Sequence, residues 1–157
     1  MFANVDTFIL GRKMYPDYER YWTTILADPS AVLPISGRPP TPNEITYARL
    51  ADKTPHVVVS KTLDKVAWRV TRIVRDVEDV RKLKRQPGKD MQVVGGAKLV
   101  SSLVNAGLVD EFRLTVNPIV LSRGTSLFKD VAKRRELQFV SAKPLSSGKV
   151  VLTYTAK

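Results

Sequence analysis

The sequence predicts a single α/β domain over residues 1–157, built on a mixed and mainly parallel sheet, and three observations carry that reading. Short β-rich apolar runs alternate with stretches whose apolar residues recur every three or four positions, the signature of strand–helix units. The last third changes to strict two-residue alternation and closes on a hairpin, which adds antiparallel strands to the sheet. The length fits one domain, and at this size roughly 70% of the unfolded chain's surface can be buried.

Val5 to Leu10 is a buried strand ending at Gly11. Tyr15, Tyr18, Trp22 and Ile25 then fall on one helix face, with Pro16 in the first turn, where its missing N–H costs nothing. Residues 28–42 hold five prolines and no periodicity, so an irregular segment is expected there, a lid or an insertion. Thr41 and Glu44 have capping-box spacing and open a helix to about Ala51. His56–Ser60 and Val70–Val74 read as strands. Asp76 is the expected N-cap of a helix that turns Val77, Val80 and Leu83 inward and stops at Pro87-Gly88.

Met91–Val94 is the next strand. Gly95-Gly96 leads directly into a helix carrying Leu99, Val100, Leu103 and Val104, with Gly107 as its C-cap. Phe112, Leu114 and Val116 alternate with polar residues as a strand that Pro118 bends and Ile119–Leu121 continues. Leu137–Ala142 and Val150–Thr155 flank a turn at Ser147-Gly148 and form the hairpin.

Composition removes several chemistries. Without cysteine there is no disulfide, thiolate nucleophile, iron–sulfur cluster or thiolate-bound zinc. A single histidine, His56, excludes metal sites built on two imidazoles, and its place in a buried strand argues against a catalytic triad. No apolar run has the roughly 20 residues of a membrane span and no secretory leader is visible, so a cytoplasmic protein is expected. The charge is unusual: 26 Lys and Arg face 15 Asp and Glu, a net +11. Residues 61–89 hold ten basic and four acidic side chains, and 129–149 hold six and two. Such an excess points to an anionic partner or to a solvated basic face. Neither stretch has the aromatic interleaving of a single-strand-binding surface, so nucleic acid is not expected as the partner.

Three strand ends carry candidate chemistry. Gly95 and Gly96 lie between a strand and a helix start, where bare backbone N–H groups at the positive helix end suit a pyrophosphate; a plain tight turn is the competing explanation. Neither a P-loop nor a GxGxxG fingerprint is present. Arg12 and Lys13 follow Gly11 at another helix N-terminus, where cations are disfavoured unless an anion binds between them. Ser60, Lys61 and Thr62 follow the second strand and supply hydroxyls and a cation. Ligands of open α/β sheets bind outside the carboxyl ends of the strands, and these three ends together suit a phosphate-rich dinucleotide.

The segments Leu10-Gly11-Arg12-Lys13-Met14-Tyr15, Val58-Val59-Ser60-Lys61-Thr62-Leu63 and Val93-Val94-Gly95-Gly96-Ala97-Lys98-Leu99 stand in the order and spacing of the dihydrofolate reductase superfamily. The rest resembles one branch of it, the C-terminal reductase domain of bacterial bifunctional riboflavin-biosynthesis deaminase-reductases and its stand-alone relatives. Tyr21-Trp22, Trp68, Pro87-Gly88-Lys89-Asp90, Gly107-Leu108-Val109-Asp110-Glu111, Pro118-Ile119-Val120-Leu121 and Leu127-Phe128 carry that likeness. The resemblance implies a three-layer αβα fold and an NADPH-dependent reductase of a pteridine-like or ribosylaminopyrimidine-like small molecule, working as a homodimer. By position, Arg12, Lys13, Ser60, Lys61 and Thr62 would hold the adenosine end and its 2′-phosphate, and Gly11 before them also counts as cofactor-binding. Gly95, Gly96, Ala97, Lys98 and Leu99 would wrap the pyrophosphate and the nearby ribose. An extra phosphate calls for cations and hydroxyls instead of the acidic ribose partner of NAD sites, which agrees with these residues.

Two departures stand out. Relatives usually have Thr where this chain has Met14, so one helix-capping and pyrophosphate contact is expected to be missing. Relatives also carry some tens of residues before this point, including a central strand near the nicotinamide and substrate site. The sheet is therefore expected to be completed by a longer chain or a partner subunit, and no catalytic residue is assigned. A non-catalytic nucleotide-binding member of the fold and a basic nucleic-acid-binding module are the alternatives.

Overall fold

A computed structural model describes residues 4–157, which fall into two compact units, one reaching to Leu99 and one from Val100 to Lys157. In the first, four parallel strands take the order β3-β2-β1-β4, with β1 over Val5–Gly11, β2 over His56–Val59, β3 over Thr71–Val74 and β4 over Asp90–Gly95. Phe8, Ile9 and Leu10 of β1 are all buried, as are Val57 and Val58 of β2. Such uninterrupted burial is what a sheet covered on both faces requires, and it explains why these strands read as apolar runs without alternation.

Helix α1, Tyr15–Ala27, buries Tyr15, Tyr18 and Ile25 on the expected face, with Trp22 half-buried among them. Helix α2, Pro42–Ala51, opens on the predicted capping box. The Glu44 carboxylate accepts from Thr41 N at 2.7 Å, from Arg38 at 2.9 Å and from the Tyr21 hydroxyl at 2.8 Å. The Arg38 guanidinium foremost, and the Thr41 donors after it, hold the Glu44 carboxyl well below the usual carboxylate range. A cap of this kind contributes about 1 kcal/mol. The proline-rich segment before it is irregular as expected and is anchored at Leu33. Leu33 is fully buried against Ile25 and Ala48, and its N–H and C=O bond to Arg38 and Gly37.

Helix α3, Val77–Lys84, has Asp76 as N-cap, its carboxylate accepting from the N–H groups of Glu78 and Asp79. Helix α4, Ala97–Asn105, spans the boundary between the units. It closes on Gly107 at φ +67°, with bonds from Gly107 N to Val104 O and from Leu108 N to Leu103 O. That pairing satisfies the last helix carbonyls and requires the left-handed conformation that glycine adopts without cost.

The second unit holds an antiparallel sheet of order β5-β7-β6, with β5 over Glu111–Val116, β6 over Leu137–Pro144 and β7 over Val150–Ala156. The α/β class and its parallel and antiparallel content stand, but the hairpin belongs to a separate sheet and is not an edge of the parallel one. The expected continuation through Ile119–Leu121 is not a strand. Ile119 N bonds back to Asn117 O around Pro118, a tight turn that ends the ladder, and Val120 is fully exposed at 102%. Proline has no N–H to donate, so a ladder cannot pass through it. Among the described residues no helix is long and apolar enough to cross a membrane.

Candidate functional site

All four strands of the first unit are parallel, so their carboxyl ends share one sheet edge. Registers place Gly11 beside Val59 and Leu10 beside Gly95, which brings the three segments predicted to hold a ligand onto adjacent strands. The edge therefore presents, in spatial order, the turn after β2, the turn after β1 and the Gly95-Gly96 turn after β4.

At the centre, Gly11 is a close-packing position. A Cβ there would lie 3.5 Å from Gly95 O, Gly96 N and the Leu99 Cβ, so this turn stacks directly on the diglycine. Gly95 adopts φ +139°, which side chains rarely tolerate, and a Cβ on it would come within 3.1 Å of the Met14 sulfur. Gly96 is different: among the described residues a Cβ there would meet nothing within 4 Å. The backbone of Gly96 thus faces open space at the start of α4, whose first turn holds no acidic residue. A bare backbone at an unneutralised helix N-terminus is a seat for a phosphate group. The Gly95–Gly96 peptide is cis.

Met14 is the N-cap of α1 and provides no side-chain cap, as the departure from the usual Thr led us to expect. Its thioether lies instead against Gly95. Arg12 and Lys13 are exposed beside it, and with Lys61 they form no ion pair among the described residues. Unpaired cations gathered at one sheet edge raise the local positive potential where an anion would enter. Lys98 and Ala97 occupy the first turn of α4, while Leu99 is buried beneath the Gly11 turn.

The turn after β2 departs from the simplest expectation. Ser60 is 5% exposed, and its Oγ accepts from Thr62 N at 3.2 Å and Leu63 N at 2.9 Å. The hydroxyl is spent on shaping its own turn, and the exposed side chains of Lys61 and Thr62 are what the turn presents. One residue missed by sequence reasoning stands here. Arg75, just after β3, donates from Nη1 to Leu63 O at 2.8 Å and to Ser60 O at 3.3 Å. The signal was available: the strand Val70–Val74 has its own carboxyl end on the same edge, and Arg75 is the next residue.

His56 lies on β2 but away from this edge, fully buried, with Nε2 sharing a hydrogen bond with the Tyr18 hydroxyl at 3.2 Å. Burial pushes its pKa down to about 4. A neutral imidazole sealed in the core is a structural group. Among the described residues no cluster of His, Cys, Asp and Glu could hold a metal ion.

Comparison with known proteins bears on the fold and the family. The uncharacterized protein YyaP of Bacillus subtilis strain 168 is 35% identical over 151 residues, spanning 96% of this chain and 73% of that protein. A candidate riboflavin biosynthesis protein from Shewanella sp. PV-4 has a similar fold, with a TM-score of 0.67 at 19% identity over 99% of this chain and 76% of that one. The dihydrofolate reductase of Enterococcus faecalis, solved in complex with NADP(H), matches with a TM-score of 0.63 at 15% identity over 96% of this chain and 74% of that one. The family model of the RibD C-terminal domain matches residues 1–151, which include every strand end described above. With sequence, fold and family model in accord, the chain belongs to the RibD C-terminal domain family.

Proposed function

We propose that this protein is an NADPH-dependent reductase of a pteridine-like or ribosylaminopyrimidine-like substrate, of the 5-amino-6-(5-phosphoribosylamino)uracil reductase type. Family membership supports the reductase-type role. The observation that carries the cofactor reading is the shared sheet edge, where the open backbone of Gly96 lies beside unpaired Arg12, Lys13 and Lys61. Bound NADPH would supply the hydride. In this reading Gly96 and Ala97 take the pyrophosphate against the N-terminus of α4. Arg12, Lys13, Lys61 and Thr62 take the adenosine 2′-phosphate, and Gly11 keeps the turn low enough for the dinucleotide to lie across the strand ends.

Trp22 and Trp68 both lie in the unit that carries the edge, so titration with NADPH is expected to quench their fluorescence saturably and more tightly than NADH. Absence of saturable binding up to millimolar NADPH would remove the proposal. Arg12→Ala is expected to weaken NADPH binding by about 2 kcal/mol while leaving NADH little changed, because one charge-assisted phosphate contact is worth roughly 1.5–3 kcal/mol. Equal loss for both cofactors would take Arg12 off the 2′-phosphate.

The homodimer implied by the resemblance belongs to the same proposal. Exposed Ile119, Val120 and Leu121, consecutive after β5, and Phe139 and Val140 on β6 support it, since large apolar side chains left in water suit burial against a second copy. Sedimentation equilibrium should give about twice the 17.6 kDa chain mass; a mass of one chain at micromolar concentration argues against it.

A further inference from the structure

The geometry points to Arg75 as a positioning residue for the 2′-phosphate end of the site, acting through the Ser60–Leu63 turn. The inference rests on the cofactor reading above and goes beyond it by naming what holds the recognition turn in shape. Three sets of bonds define the turn. Ser60 N donates to Val74 O at 2.9 Å, continuing the β2–β3 ladder one step past the last strand residue. The Ser60 hydroxyl oxygen then receives the N–H groups of Thr62 and Leu63, which curls the chain back on itself. Arg75 closes the loop from outside, its Nη1 bridging the carbonyls at the two ends, Ser60 and Leu63.

The consequence is chemical. With the N–H groups of Thr62 and Leu63 turned inward to Ser60 Oγ, the turn offers an incoming phosphate no backbone donor at those positions. What this turn adds to Arg12 and Lys13 must come from the Lys61 ammonium and the Thr62 hydroxyl, and their placement depends on the curl. Lys61 and Thr62 are exposed, so neighbouring side chains do little to fix them. A carbonyl pair bridged by a charged donor is stronger than one left to water, and the bridge spans both flanks of the recognition pair. Arg75 is itself held at its main chain, where its N–H donates to the Asp79 carboxylate at 3.0 Å. Asp79 in turn pairs with Lys82 at 3.0 Å, so the anchor reaches into the first turns of α3. Releasing Arg75 lets the turn sample conformations in which Lys61 and Thr62 no longer converge, and pre-organisation is lost without loss of any group that would touch the ligand.

The test compares Arg75→Met and Arg75→Lys with the parent protein, by tryptophan-quench titration with NADPH, NADH and adenosine 2′-monophosphate. Arg75→Met should weaken NADPH and adenosine 2′-monophosphate by about tenfold and NADH by less than about twofold, since only the first two carry the phosphate. Arg75→Lys should restore both to within about threefold of the parent, because one ammonium can bridge two carbonyls as Nη1 does. The side chain is exposed, so neither change opens a cavity; should the methionine variant not fold, Arg75→Gln takes its place. Equal weakening of NADPH and NADH, or failure of lysine to rescue, would overturn the assignment. A parent that prefers NADPH beside a methionine variant with the same preference overturns this inference alone. A parent that binds neither nucleotide overturns the cofactor reading and this one with it.

Discussion

Replacing Gly96 with valine should raise the dissociation constant for NADPH at least about a hundredfold, roughly 2.7 kcal/mol, while leaving the melting temperature nearly unchanged. The two halves of that expectation come from one observation, the open space over the Gly96 Cα. Among the described residues a Cβ there meets nothing within 4 Å, so the first carbon of a side chain fits without displacing the fold. Yet the same space is where a pyrophosphate would have to approach the backbone, and the phosphate cannot share it with two methyl groups. Gly96→Ala should fall between, since a single methyl leaves part of the approach open. The neighbouring position cannot make the same test. Gly95 sits at φ +139° with the Met14 sulfur 3.1 Å from its missing Cβ, so a substitution there strains the backbone and confuses loss of binding with loss of fold. Calorimetric titration beside thermal melts separates the outcomes for Gly96. Unchanged NADPH affinity in Gly96→Val would show that the pyrophosphate does not lie at α4.

What could be read from the residues follows the range of the forces involved. Local devices were legible: the Thr41–Glu44 box, the Asp76 cap and the Gly107 closure all involve groups a few residues apart, and each forms as its spacing implies. The convergence of Gly11, Lys61 and Gly96 was legible through a rule about parallel sheets, because strands run in one direction carry all their carboxyl ends to one edge. Pairing across the chain was not legible in this way. Phe112 lies opposite Tyr154 and Val116 opposite Val150, contacts about forty residues apart that no local pattern encodes, and they make the separate sheet. Ser60 shows a third limit. A serine at a strand end can give its oxygen to a ligand or to its own turn, and only the placed N–H groups of Thr62 and Leu63 decide between them.

The second large effect concerns acid. Stability should fall by about 3 kcal/mol between pH 6.5 and pH 4, and most of that fall belongs to His56 alone. The chain has one histidine, and it is fully buried among Phe8, Tyr18 and Trp68, with ring centroids 5.3, 5.5 and 4.7 Å away. Desolvation disfavours the imidazolium and lowers its pKa to about 4, against about 6.5 in the unfolded chain. The unfolded state therefore binds the proton first as pH drops. The neutral-histidine contribution is complete above about pH 6.5, shrinks through the interval and is exhausted below about pH 4. Carboxylates lose their contribution in a different window. Glu44, Asp28, Asp52 and Asp79 are all held below their ordinary values by hydrogen bonds and ion pairs, so their share disappears only below about pH 4.5. Urea denaturation at pH 7.5, 6.0 and 5.0 thus samples the histidine before the acids titrate. His56→Phe keeps an aromatic ring in the box and removes the titrating group. It should be less stable than the parent at pH 7.5, where the Tyr18 hydroxyl loses its bond to Nε2 and keeps only that to Tyr47 at 2.9 Å, and nearly flat from pH 7.5 to 5.0. A slope in the variant as steep as the parent's would move the acid sensitivity off the aromatic core, because a phenylalanine can take up no proton.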